Sequence, residues 1–330
     1  MSVRKTQTKN MKMNTKVDLT TKIKHLSFKN PVTVASGTFG TTTEMESFID
    51  YDKLGAVIAK TVTLHARPGN PMPRICETAS GMINAIGLQN KGLDEFLETK
   101  MPKIRKQKTP WVISIAAETT EEFSVMAKKL DAVKKDFSML EVNLSCPNVE
   151  KGGASFVKKQ QTIIDIIKAI RDQTDIVMMA KLSPELGDVI EIAGNALRHG
   201  ADGLSLINTL RGMVVDIYKC RSRIARDSGG LSGPAIKPVA LRYVYDCKKA
   251  FNCPIIASGG IRDWKDAVEF LIVGADLLAV GTSNFVTPNA TMEIITGIEQ
   301  FCREQGIQKL DDLRGTFKSS TGPKGDSPSI

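Results

Sequence analysis

The chain has 330 residues, enough for one large domain or two small ones and for a sizeable core. Hydrophobic residues make up 42% and charged residues 25%, ordinary values for a globular protein, and no apolar run reaches the roughly 18–20 residues a membrane span needs. The formal net charge of +9, from 45 Lys and Arg against 36 Asp and Glu, points by itself to a polyanionic partner such as nucleic acid or a membrane surface. Its distribution argues otherwise. Arg4, Lys5, Lys9, Lys12, Lys16, Lys22 and Lys24 stand against one acid, Asp18, so six of the nine net charges fall in the first 24 residues.

In chain order, residues 1–16 read as a basic, Thr-rich, disordered leader without the apolar core of a secretory signal. Met11 and Met13 are alternative starts. The folded domain is expected over 17–313. Its first strand is placed at Pro31–Ser36 and its second at Ala56–Thr63, both short, β-branched and apolar. Pro68–Gly92 is rich in Gly, Pro and Asn and is expected to be a long loop insertion between strands two and three. Asn84, with Gly87 and Gln89 nearby, brings amide groups suited to a planar polar ligand. A basic run, Lys100, Lys103, Arg105, Lys106 and Lys108, reads as a solvated helix end or loop. Further strands are placed at Trp111–Ala117, Met139–Cys146, Ile176–Ser183, Gly203–Thr209, Pro254–Gly260 and Leu277–Thr282. Helix spacing appears in Ile163–Arg171, Val189–Leu197, Ala235–Ala250, Trp264–Val273 and Met292–Cys302. A Ser, Gly and Pro-rich tail, 314–330, is expected to be disordered.

Strands apolar on both faces and alternating with helices imply a parallel sheet, and eight such units fit an α/β fold of the (β/α)8 barrel type. A doubly wound sheet would want G-x-G-x-x-G after its first strand, whereas Ser36-Gly37-Thr38-Phe39-Gly40 stands there.

In such a barrel the chemistry sits at the C-terminal strand ends. These carry Ser36, Lys60-Thr61, Ser114, Asn143 to Cys146, Lys181, Asn208-Thr209, Gly259-Gly260 and Gly281-Thr282. Lys60 and Lys181 are embedded in apolar runs, and a buried lysine is costly unless it meets an anion. A salt bridge within the barrel would satisfy each, but two lysines converging on one mouth favour an anionic ligand or cofactor. Glycine turns after strands seven and eight suit a phosphate, because the backbone N–H groups can approach it closely. Six cysteines occur without a CxxC pair, so no metal site is assigned, and a reducing, cytoplasmic setting is inferred. Cys146 leaves a strand for a loop holding Pro147, Gly152 and Gly153, and reads as a proton-transfer group. The other five cysteines read as small buried hydrophobes.

Asn84–Asn90, Asn143–Asn148 and Gly229–Ala235 together resemble the class 1 dihydroorotate dehydrogenases, with intact spacing from about Val17 to Pro288. Gly87-Leu88-Gln89-Asn90 and Val149-Glu150-Lys151-Gly152-Gly153 are most similar to the NAD-linked class 1B catalytic subunits; the fumarate-using 1A enzymes differ in both stretches. Class 2 enzymes carry Ser where Cys146 stands. The resemblance implies FMN at the barrel mouth, held by Ser36, Lys60, Thr61, Ser114, Asn143, Lys181, Ile207, Gly233, Gly259, Gly260, Gly281 and Thr282. It implies dihydroorotate bound by Lys60, Asn84, Ala85, Ile86, Gly87, Leu88, Asn143, Asn208 and Thr209. The family usually has Asn where Ser114 stands, and serine can still donate a hydrogen bond there but reaches less far.

The implied reaction is oxidation of dihydroorotate to orotate in pyrimidine biosynthesis. Cys146 removes the C5 proton and hydride passes from C6 to FMN. Lys181 lies near N1 and O2 of the flavin. Electrons then leave for NAD through a partner subunit carrying FAD and a [2Fe–2S] cluster, in a heterotetramer built on a homodimer of this chain. Nucleic acid and membrane are not expected partners. Two other flavin barrels remain as alternatives. One is a dihydropyrimidine dehydrogenase-type subunit acting on uracil or thymine. The other is a tRNA-modifying enzyme, disfavoured because only 48 residues follow Thr282.

Overall fold

Eight parallel strands form the centre of the computed structural model, which describes residues 17–144 and 156–319. The leader at 1–16, the segment 145–155 with Cys146, and residues 320–330 lie outside the described residues. The strands are β1 (Val32–Val34), β2 (Val57–Ile58), β3 (Trp111–Ile115), β4 (Met139–Asn143), β5 (Val177–Leu182), β6 (Gly203–Leu206), β7 (Ile255–Ser258) and β8 (Leu277–Val280). Each pairs in parallel with the next from β2 to β8, and β8 pairs back onto β1. At the remaining seam the Gly55 N–H donates to the Val32 carbonyl at 2.9 Å, so the barrel is nearly closed. All eight expected strands are present, each shorter than the apolar run that marked it.

Around the barrel run α1 (Thr120–Asp131), α2 (Phe156–Arg171), α3 (Val189–Arg198), α4 (Lys237–Phe251), α5 (Trp264–Ile272) and α6 (Ala290–Glu304). The last five were expected. α1 was not, although Thr119 caps it by accepting from the Glu122 N–H, and Phe123, Met126, Ala127 and Leu130 form its buried face.

Strand alternation sorts the barrel interior into layers. Ile58, Val112, Met139, Val177, Met179, Ile256 and Leu277 make a lower apolar cluster. The Thr21–Ile23 and Leu26–Phe28 hairpin closes the bottom, placing Ile23 and Phe28 in that cluster. Two residues further along β3, β4, β5 and β6, the same face carries Ser114, Glu141, Lys181 and Ser205, all buried. The opposite strand faces, including Ile113, Leu140, Val142, Ala180 and Leu204, pack in the main core with the helices.

Three expectations need correction. The stretch 68–92 is not simply a loop: Ile75–Thr78 and Gly81–Asn84 form a hairpin. This hairpin joins Gly229–Ser232 and Leu210–Gly212 in a four-stranded antiparallel sheet. Its hydrogen-bond partners lie over a hundred residues away, which local pattern cannot reveal. Cys220 is exposed, because it occupies the turn between the short strands Val215–Asp216 and Arg221–Ser222, with φ +47°. The segment assigned to the tail from 314 is docked at its start. Arg314 lies 3.5 Å from Asp276, the Phe317 N–H donates to Ile272, and Phe317 meets the Tyr245 ring edge-on at 5.1 Å.

In the basic run, Lys100 pairs with Glu44 at 3.7 Å and Arg105 with Asp136 at 2.7 Å, as a solvated helix end would. No helix among the described residues is long and apolar enough to cross a membrane.

Candidate active site

The polar layer at the C-terminal end of the barrel is built around Glu141. Its Oε1 accepts from Lys181 Nζ at 3.2 Å and from Ser114 Oγ at 3.0 Å, and its Oε2 accepts from Ser205 Oγ at 2.9 Å. Ser114 Oγ lies 2.9 Å from Thr61 Oγ1, which lies 3.2 Å from Ser36 Oγ. A carboxylate only accepts, so the Ser114 proton is committed to Glu141. Thr61 therefore donates to Ser114, and Ser36 to Thr61. The layer is one directed chain across the ends of β1 to β5, with Ser205 joining from β6.

Four of the residues expected at the site, Ser36, Thr61, Ser114 and Lys181, are brought together on Glu141, a partner that sequence reasoning missed. The signal was present. Glu141 stands in an apolar strand, as Lys60 and Lys181 do, and a buried carboxylate asks for a partner for the same reason. Lys181 does have a salt bridge within the barrel, the alternative weighed from sequence. Ser114 is fully buried with its hydroxyl engaged on both sides.

Lys60 differs. It is half-buried, and it makes no ion pair among the described residues. Burial pushes its pKa below the usual lysine value, and the positive charge of Arg74 adds to this, while Glu44 opposes it. Arg74 is thus a second cation near Lys60, and Glu44 is the acid that opposes it. Arg74, another residue missed from sequence, is held by the Asn70 carbonyl and Gln89 Oε1 at 2.5 and 2.6 Å.

Above this layer the amides gather. Asn143 ends β4, and Asn208 Nδ2 donates to its Oδ1 at 3.2 Å. The strand ending at Asn84 pairs with Gly229–Ser232, and Asn84 Nδ2 donates to the Gly230 carbonyl at 3.2 Å. Gly230 in turn packs so closely on Thr209 that no Cβ fits between them. The separate sequence segments 84–90 and 229–235 are therefore neighbours, joined to the end of β6 through Asn208 and Thr209. Ala85, Ile86, Gly87 and Leu88 follow Asn84, half-buried, with Gly87 and Leu88 at φ +75° and +54°. Further along the Gly229–Ser232 strand Thr282 Oγ1 donates to Ser232 Oγ at 2.8 Å, next to Gly233. Ile207, buried after β6, accepts through its carbonyl from Ser258 Oγ at 2.8 Å.

The glycines test the fit of FMN. Gly259 and Gly260 are demanded by the protein itself: they have φ +120° and +81°, and a Cβ on Gly260 would meet the Lys237 backbone at 2.9 Å. Gly281 is not so constrained. A Cβ there would make only ordinary contacts, with Ala35 Cβ at 3.4 Å and Thr38 Cγ2 at 3.8 Å. The protein itself does not demand a glycine at the end of β8. With Lys60 and the Asn143 amide at the strand ends and the Lys181 ammonium in the layer beneath, the residues present fit an anionic, hydrogen-bonding cofactor of the FMN kind.

Cys146, the expected proton-transfer group, lies outside the described residues. No group of three or more His, Cys, Asp or Glu side chains able to hold a metal occurs among the described residues.

A family model for dihydroorotate dehydrogenase matches residues 18–302. The chain is 46% identical over 300 residues to the dihydroorotate dehydrogenase B (NAD(+)) catalytic subunit of Desulforamulus reducens, covering 91% of this chain and 98% of that one. It is 42% identical to the protein of the same description from Bacteroides thetaiotaomicron, covering 91% and 99%. Among solved structures it matches a dihydroorotate dehydrogenase from Eimeria tenella, solved with ferulenol, at a TM-score of 0.74 and 26% identity over 91% of this chain and 88% of that one. Together with a nearly closed eight-stranded barrel whose mouth gathers lysines and amides, these likenesses establish that the chain belongs to the dihydroorotate dehydrogenase family.

Proposed function

We propose that this chain oxidises dihydroorotate to orotate at the C-terminal mouth of the barrel, with FMN bound there. The observation that carries this reading is the pairing of Asn143 with Asn208 at the end of the barrel and of the Asn84 strand with Gly229–Ser232, whose Gly230 packs on Thr209, together with Lys60, a half-buried cation with no ion pair among the described residues. The three amides can satisfy the carbonyl and N–H groups of a dihydropyrimidine ring and fix its orientation. Lys60 balances the substrate carboxylate. Cys146, three residues beyond Asn143 in sequence, takes the C5 proton as a thiolate. FMN, when bound, supplies the two-electron acceptor for the hydride lost from C6. Lys181 and the hydroxyl chain from Ser36 to Glu141 line the floor on which that acceptor rests.

A NAD-reducing partner subunit carrying FAD and [2Fe–2S], in a cytoplasmic heterotetramer, completes the proposal. Two features support an assembly. The relatives are named as catalytic subunits. The antiparallel sheet, its neighbouring hairpin and the residues flanking them leave the apolar side chains Met72, Ile75, Met213, Val215, Ile217 and Tyr218 exposed, where a partner could cover them.

The test is anaerobic mixing of the FMN-loaded protein with dihydroorotate. The expected result is bleaching of the flavin absorbance, with Cys146→Ala keeping FMN but bleaching roughly 10²–10⁴-fold slower. Dihydrouracil and dihydrothymine serve as the control. Loss of colour with a dihydropyrimidine lacking the carboxylate, but not with dihydroorotate, would move the assignment to the pyrimidine-reducing relatives.

A further inference from the structure

We propose that Glu141 is a positioning residue. Its buried carboxylate holds the Lys181 ammonium, offsets its charge, and thereby sets how readily FMN bound at the mouth is reduced. The inference rests on the reading that FMN occupies the mouth. In the β4–β5 register the residue opposite Lys181 is Asn143, while Glu141 lies opposite Met179. The lysine therefore reaches back to a partner one layer deeper instead of extending to the amides above. Glu141 and Lys181 side chains are 1% and 7% exposed, so neither charge is stabilised by solvent. Ser114 from β3 and Ser205 from β6 fix the carboxylate from both flanks. Four neighbouring strands thus contribute to holding one ammonium in place.

The charge balance follows. At neutral pH, reducing bound FMN takes up two electrons and one proton, and leaves one added negative charge on the cofactor. In a poorly solvated site, a nearby ammonium favours that added charge, and a carboxylate behind the ammonium opposes it. A bridge that merely held strands together would change stability and leave this equilibrium alone. Glu141→Gln keeps the shape and removes the opposing charge, so bound FMN should become easier to reduce.

The experiment measures the midpoint potential of FMN bound to the full chain at pH 8, against a reference dye, for the wild type and Glu141→Gln. The expected result is a shift to more positive potential by at least tenfold in the reduction equilibrium, about 30 mV for a two-electron couple. The same step is repeated in a Lys181→Met background, at pH 8. There the single variant should have the lower potential and the Glu141→Gln/Lys181→Met protein the higher, so one unfolded variant leaves the comparison intact. A change below about twofold in both backgrounds, under 10 mV on the same scale, overturns the proposal even if melting temperatures move. A wild-type protein that binds no FMN overturns the flavin reading instead, so the two failures are distinct.

Discussion

Glu141 and Lys181 form an ion pair of 3.2 Å inside the barrel, with almost no solvent on either side chain. Such a pair contributes little when intact but is costly to halve, because the survivor is a buried charge without a counter-charge. Lys181→Met should therefore destabilise the protein by about 3–5 kcal/mol. Glu141→Gln/Lys181→Met should recover most of that loss. Urea unfolding of the four proteins of this cycle checks it. Equal destabilisation in the single and double variants would show that packing, and not charge, dominates.

The mouth lysine gives a pH dependence of known sign. Burial and Arg74 hold the Lys60 pKa below its usual value. Between this lowered value and that of the unfolded chain, the unfolded state binds more protons, so this residue's contribution to stability improves as pH rises. Anion binding runs the other way. An anion needs the ammonium, so orotate affinity should fall as pH climbs through the lowered pKa of Lys60. Arg74→Gln should move that fall to higher pH and Glu44→Gln to lower pH, since the first charge depresses the pKa and the second supports it. Fluorescence or absorbance titrations with orotate across alkaline pH read the midpoint. A midpoint unmoved by both substitutions would take Lys60 out of the binding site.

Ser114 offers a test of the directed chain. Its hydroxyl links Thr61 to Glu141 at 2.9 and 3.0 Å. Ser114→Ala leaves the Thr61 proton and one carboxylate lone pair unsatisfied in a buried layer, at a cost of about 1–3 kcal/mol. The loss should appear as a lower Tm of the apo-protein. If the apo-protein melts unchanged, the chain does not bear on the stability of the barrel floor.

The barrel was legible because every strand is buried on both faces. Short runs such as Ile176–Ser183 and Leu277–Thr282 therefore stand out as apolar segments between polar turns. α1 was missed despite its signature, Thr119 followed three residues later by Glu122, because charged residues dilute its apolar stripe. The 75–84 hairpin has no such local signature: its pairing partner is Gly229–Ser232, and glycine-rich strands do not alternate. At the site, the lysines were legible from the cost of burying charge, and the same reasoning reaches Glu141 once Met139, Glu141 and Asn143 are seen to share one strand face. Arg74 was hidden because nothing in its sequence surroundings announces that the hairpin folds back towards Lys60.

Two glycines at the mouth should respond in opposite ways. Gly260 has φ +81° and lies against the start of α4, where an added Cβ would meet Lys237 Cβ at 2.7 Å. Gly260→Ala should cost about 1–3 kcal/mol from backbone conformation alone, and more from displacing the helix. FMN binding would be lost together with stability. A Cβ at Gly281 would meet nothing closer than 3.4 Å, so Gly281→Ala should leave the apo-protein's stability within about 0.5 kcal/mol of wild type. With FMN placed against the end of β8 by the proposal, the added methyl would meet the cofactor, and FMN affinity should fall while the fold persists. Apo-protein melting and FMN titration, run side by side, separate the two roles. Undiminished FMN affinity in Gly281→Ala would place the cofactor away from the end of β8.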